Sequence, residues 1–160
     1  MYLGLVPTDA EITFADHMGR FYARRYAYPP MVGRLLGYLA VCDPPEQSIG
    51  ELAEALLASR SAITGAVKLL EGYHAVRRTR AAGDRVDHVS LDPAGLEPNG
   101  FDAAVYREMA ALAREALTLL TDAPPDRRAV LEDVAALGDF LAERMPALLD
   151  EWRTYRARKA

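Results

Sequence analysis

The hydrophobic period changes from helical to alternating between residues 48 and 91, and that change limits what the chain can fold into. Ser48 followed by Glu51 has the S/T-x-x-E spacing that satisfies two orphan amides at a helix start. Leu52, Ala53, Leu56 and Leu57 then supply the apolar positions of a short helix, which breaks at Ala58. Ser59 or Ser61 can cap a second helix carrying Ile63, Ala66, Val67 and Leu70, with Gly72 as its stop. From there the pattern alternates. Residues 75–80 and 86–91 read as two short strands around the turn Ala81-Ala82-Gly83-Asp84.

The flanking sequence is helical. Thr8 and Glu11 repeat the capping spacing, and Ile12, Ala15, Met18, Tyr22 and Tyr26 predict a helix over about 9–27. A second helix is expected from Met31 to about Cys42, with Val32, Leu35, Leu36 and Leu39 inward. Pro-Pro pairs at 29–30, 44–45 and 124–125 mark helix boundaries. After a connection holding Pro93, Gly95, Pro98 and Gly100, two long helices are expected over about 101–121 and 126–156, the second kinked at Pro146. Its apolar stripe is Val130, Val134, Leu137, Leu141, Met145, Leu148 and Trp152. That stripe is longer than one small domain needs, which is a reason to expect self-association.

Composition narrows the class. Of 160 residues, 51% are hydrophobic and 26% charged, which excludes a disordered chain. The amino terminus lacks the form of a signal peptide and no apolar run reaches the ~18 residues of a membrane span, so a cytoplasmic protein with no membrane partner is expected. Cys42 is the one cysteine, which precludes a disulfide within the chain. At the end of an apolar helix it reads more readily as a core thiol than as a redox sensor. Net charge is −4, yet residues 59–88 carry six cationic side chains against three carboxylates, a local +3 in an acidic chain. His17, His74 and His88 are scattered, and no catalytic constellation, cofactor or metal site emerges. His88 with Asp84 and Asp87 is the one combination that suggests a metal, and such loop spacings are common by chance.

Short helix, turn, helix and hairpin is the order of a winged helix-turn-helix. Its recognition helix would place Arg60, Thr64 and Lys68 on one face, opposite Ile63, Val67 and Leu70. Such a face can enter a major groove. Ser59 and Ser61 add hydroxyls and amides where phosphate binds favourably. Arg85 beside the turn suits a minor groove, and among Arg77, Arg78 and Arg80 at least one should flank phosphate; a charged edge strand is the alternative reading. Leu57 stands where such turns often carry glycine, and Gly65 thins the reading face.

The segments Met18-Gly19-Arg20-Phe21-Tyr22, Gly33 to Leu39, Asp43 to Ser48 and the stretch from Ser59 to Arg78 together resemble the MarR superfamily of transcription regulators, most closely its GbsR-like branch. The resemblance covers about half the chain. It implies a mainly α fold with a β-hairpin wing, a winged core over about 31–92, and dimerisation helices over about 8–28 and 100–157, in one domain. It implies a homodimeric repressor of a double-stranded DNA operator, contacting it through Ser59, Arg60, Ser61, Thr64, Lys68, Arg78, Arg80 and Arg85. A small-molecule effector is implied as well. Tyr22, Tyr26, Tyr28 and Tyr38 are its expected site, where tyrosine faces suit a quaternary ammonium while Arg24 and Arg25 favour a carboxylate. A winged-helix interaction module that does not bind DNA is the alternative function.

Overall fold

The computed structural model describes residues 6–160. They form two compact units, the first running to Leu96 and the second from Glu97 to Ala160. In the first, α1 (Asp9–Tyr26) and α2 (Pro30–Val41) precede β1 (Gln47–Ser48), α3 (Ile49–Ala55), α4 (Arg60–Gly72), β2 (Val76–Thr79) and β3 (His88–Leu91). The second holds α6 (Ala103–Leu119) and α7 (Pro125–Lys159); the short α5 (Leu96–Phe101) lies at the boundary.

Helix starts follow the local chemistry. Thr8 and Ser48 each form a complete capping box with the glutamate three residues on, and Ser59 caps α4 by accepting from the Ala62 amide at 3.1 Å. Each such cap contributes about 1 kcal/mol. Helix α1 ends at Ala27 in the left-handed conformation. Helix α4 ends at Gly72, the expected stop, and the chain turns at His74, which takes the left-handed conformation.

Two elements depart from the sequence expectation. The sheet has three strands in the order β1-β3-β2, all antiparallel, where two were expected. Strand β1 is two residues long, too short for an alternating pattern, and its Ser48 doubles as the cap of α3. The connection expected around Pro98 and Gly100 contains the six-residue α5. Pro98 is its third residue, in the first turn, where no intrahelical acceptor awaits its missing N–H.

Helices α1 and α2 approach closely because glycines face the contact. A Cβ on Gly33 would lie 2.5 Å from the Met18 carbonyl oxygen, and one on Gly37 2.8 Å from Met18 Cβ. Beneath them lies the core: Leu35, Leu52, Leu56, Ile63, Val67 and Val89 are fully enclosed, with Val32, Leu39, Leu70 and Val76 around them.

Within the second unit, α6 and α7 pack through small side chains. Ala110 and Ala113 face Ala135, Gly138, Ala142 and Met145, and a Cβ on Gly138 would meet the Tyr106 carbonyl oxygen at 2.7 Å. The buried stripe of α7 is therefore offset from the one expected. Met145 is buried, Leu141 and Trp152 are half-buried, and Val130, Leu137 and Leu148 are exposed. Helix α7 passes through Pro146 as one 35-residue element.

The glycines give a paired stability test. Gly33→Ala should cost about 1–3 kcal/mol through overpacking. Gly65→Ala, whose Cβ would meet nothing within 4 Å, should stabilise by about 1 kcal/mol. Urea unfolding of both variants measures the two signs.

Candidate nucleic-acid interface

Burial sets the register of α4. Ile63, Ala66, Val67 and Leu70 point into the core, so Arg60, Ser61, Thr64, Gly65 and Lys68 are exposed together on the other side. Ser59 spends its hydroxyl on the cap and lies 3.1 Å from the Ser61 hydroxyl, so the two share a hydrogen bond. The amides of Arg60 and Ser61, in the first turn, have no intrahelical acceptor and suit a phosphate oxygen. The Arg60 guanidinium lies across Gly50, where an added Cβ would come within 3.0 Å of its Nη2. Gly50 leaves room for that arginine.

The turn before α4 is strained. Leu57 holds φ at 50° and is 94% exposed, an apolar side chain in a left-handed conformation with no burial to offset it. The Leu57 and Ala58 amides donate to the Glu54 and Ala53 carbonyls, closing the end of α3 in the manner of a glycine cap. The turn thus keeps the geometry that glycine usually provides. Arg34 braces it, with Nη1 donating to the Leu56 carbonyl at 3.2 Å and Nε bonded to Asp16 at 2.6 Å.

The wing sorts its arginines into two kinds. Arg78 Nε donates to Glu71 at 2.9 Å, tying β2 to the last turn of α4. Arg80 Nε donates to Asp87 at 2.7 Å across the base of the wing. That bond holds the Asp87 carboxyl below the usual range and raises Arg80. Arg77 and Arg85 are exposed and, among the described residues, carry no ion pair; the same holds for Arg60 and Lys68. Gly83, at φ 91°, shapes the wing tip beside Arg85.

Three of the four expected effector tyrosines come together. Tyr22, Tyr26 and Tyr28 stack with ring centroids 5.6–6.3 Å apart. Tyr38 is buried in the core and lines a separate recess with Pro7, Gln47 and Glu51. The member missed from the sequence is Tyr73, at the end of α4, whose ring centroid lies 5.6 Å from that of Tyr28. Burial first, and then the hydrogen bond to Tyr73, push the Tyr28 phenol up to about 12. Arg25 stands 5.3 Å over the Tyr26 ring and already fills a cation position there.

Cys42 is buried, its Sγ is 3.4 Å from the Pro44 carbonyl, and burial pushes its thiol up to about 11. His88 Nδ1 lies 4.0 Å from Asp84, and among the described residues no three His, Cys, Asp or Glu side chains converge as metal ligands do. Among the described residues no helix is long and apolar enough to cross a membrane.

A capped helix with one buried and one cationic face, followed by an arginine-bearing hairpin, defines a winged helix-turn-helix of the DNA-binding kind. The comparisons with known proteins agree. Residues 102–155 match the family described as MmpR5-like MarR family transcriptional regulator. The chain is 36% identical over 130 residues to the HTH-type transcriptional regulator MmpR5 of Mycobacterium tuberculosis, covering 78% of this chain and 75% of that one. A crystal structure described as a transcriptional regulator is 31% identical, covers 91% of this chain and 99% of its own, and superposes with a TM-score of 0.81. The chain belongs to the MarR family of winged-helix, DNA-binding transcriptional regulators.

The turn offers a test independent of DNA. Leu57→Gly removes the left-handed strain and an exposed apolar side chain, and should stabilise the fold by about 1 kcal/mol. Thermal unfolding of the variant beside the wild type measures it.

Proposed function

We propose that this regulator is a cytoplasmic homodimeric repressor that grips a double-stranded operator through α4 and the wing and lets go when a small molecule binds. The observation that carries the DNA reading is the outward face of α4, where Arg60, Thr64 and Lys68 stand exposed with both cations free of ion pairs among the described residues. In this reading Arg60 and Thr64 meet base edges, while Lys68, Ser59, Ser61 and Arg85 meet phosphate or the minor groove. Arg78 and Arg80 bond Glu71 and Asp87 through Nε, which leaves their Nη groups for the DNA backbone while the wing is held in place.

Binding measured by fluorescence anisotropy on the DNA upstream of the chain's own gene tests this. Affinity should fall steeply with salt as counterions are released. Arg60→Ala and Thr64→Ala should each cost about 1–3 kcal/mol and relax sequence preference. Lys68→Ala and Arg85→Ala should weaken operator and scrambled DNA alike. A quadruple variant that binds as the wild type does would move the surface elsewhere and favour the protein-interaction reading.

Support for the dimer comes from α7, where Leu137 and Phe140 are 52% and 54% exposed on a helix whose opposite face is already packed. Two-fold symmetry would place two recognition helices about 34–36 Å apart on a pseudo-palindrome. Sedimentation should show a dimer at micromolar concentration, and Leu137→Asp should shift it to monomer. A wild-type monomer under those conditions overturns the assembly.

For the effector, the stacked Tyr22, Tyr26 and Tyr28 with Arg24 and Arg25 nearby favour an aromatic carboxylate. Rings stacked on one another do not converge around a cation, and Arg25 covers Tyr26. The GbsR-like placement, carried by the segments between Met18 and Ser48, keeps choline and glycine betaine in the panel. Release of operator by the carboxylates alone supports this reading, and release by the quaternary amines alone reverses it.

A further inference from the structure

Contacts in the turn before α4 and at the residue after it lead back to one helix. At the entrance, Arg34 of α2 bonds the Leu56 carbonyl at 3.2 Å and Asp16 of α1 at 2.6 Å. The stem of Arg34 also packs over Gly19 of α1, its Cγ 2.7 Å from where a Cβ there would stand. At the exit, Tyr73 directly follows α4 and packs on Tyr28, which stacks in turn on Tyr22 and Tyr26 of α1. The two attachments, at Leu56 in the turn before α4 and at Tyr73 just after it, bracket the whole of α4, which is thirteen residues or about 20 Å long.

We propose that α1 holds the recognition helix at both ends, with Arg34 and Tyr73 as positioning residues that set its angle to DNA. Two separated fixings oppose rotation, which neither would do alone. Ile63, Val67 and Leu70 fix which face of α4 is buried, but apolar packing is non-directional and tolerates small tilts. Among the described residues, directional side-chain contacts at and beside α4 include these two and the Glu71–Arg78 bond to the wing. A tilt of α4 would misplace Arg60 and Thr64 from base edges while leaving the cations free to find phosphate. The grip therefore governs discrimination between sequences and leaves general adhesion to DNA alone. It also gives the tyrosine array a route to the DNA face, since whatever disturbs Tyr28 disturbs the residue that ends α4.

The inference rests on α4 being the DNA-reading helix, and the experiment separates the two. Arg34→Met keeps the stem and removes both polar contacts. Tyr73→Ala removes the ring, while Tyr73→Phe keeps the stack and loses only the hydroxyl. Operator and scrambled duplexes are titrated with each variant at one salt concentration, beside Arg60→Ala as a control and with thermal unfolding recorded. Arg34→Met and Tyr73→Ala should each weaken operator binding on the order of tenfold, the equivalent of one lost base contact. Scrambled-DNA affinity should stay within about twofold, below the loss of a single phosphate contact. Tyr73→Phe should recover most of the ratio. If the ratio of operator to scrambled affinity is unchanged in folded Arg34→Met and Tyr73→Ala while Arg60→Ala lowers it, the grip is overturned and the recognition helix stands. The grip is also overturned if both affinities fall together in step with thermal stability. An unchanged ratio in Arg60→Ala overturns the recognition helix itself.

Discussion

The division of α4 into a buried face and an exposed one governs the rest of the molecule. Ile63, Ala66, Val67 and Leu70 are enclosed with Leu35, Leu52 and Val89. Each large apolar side chain so buried contributes about 1.5–3 kcal/mol. A rotation of one residue would bury Thr64 or Lys68 and expose Ile63 or Val67. The penalty for an unpaired buried ammonium alone exceeds what such a fold has to spare. The cationic face is exposed because the core leaves it no other place, and the caps at Ser48 and Ser59 fix where α3 and α4 begin.

Charge is distributed with the same economy. The chain is acidic overall, so it gains little from indiscriminate attraction to polyanions. Within the winged unit, Arg78 and Arg80 stiffen the hairpin through Glu71 and Asp87, whereas Arg77 and Arg85 carry no ion pair among the described residues. Exposed pairs of this kind contribute little to stability. Their value lies in direction: they hold a four-residue strand pair and its tip at a defined angle to the helix that precedes it.

What the sequence revealed was local. Capping at Thr8, Ser48 and Ser59 depends on neighbours within three residues, and the helical period of Ile63, Val67 and Leu70 on neighbours within seven. Both could be read directly, and so could the exposed trio Arg60, Thr64 and Lys68. The hidden features were made by distant partners. Strand β1 exists because β3 lies beside it, through the pairs Gln47–Val89 and Ser48–His88. Arg34 carries no signal of its link to Leu56, and Tyr73 none of its stack on Tyr28, since each partner is twenty or more residues away. In α7 the large apolar residues drew attention, yet alanines and Gly138 make the contact with α6, because close backbone approach demands small side chains. Leu57 shows the reverse: an unusual residue at a familiar turn, where hydrogen bonds from 53–58 impose the geometry that its side chain resists.

Cys42 has a consequence for how the molecule can be watched. Its thiol is buried at the end of α2 and donates to the Pro44 carbonyl, and burial pushes it up to about 11. At neutral pH almost none of it is thiolate, the form that attacks electrophiles and peroxides. Maleimide dyes would pass it by. A cysteine introduced at the wing tip or on the outer face of α4 would then take up a fluorophore selectively, with the native residue left in place. The chain is in effect already prepared for single-molecule observation of its own recognition elements.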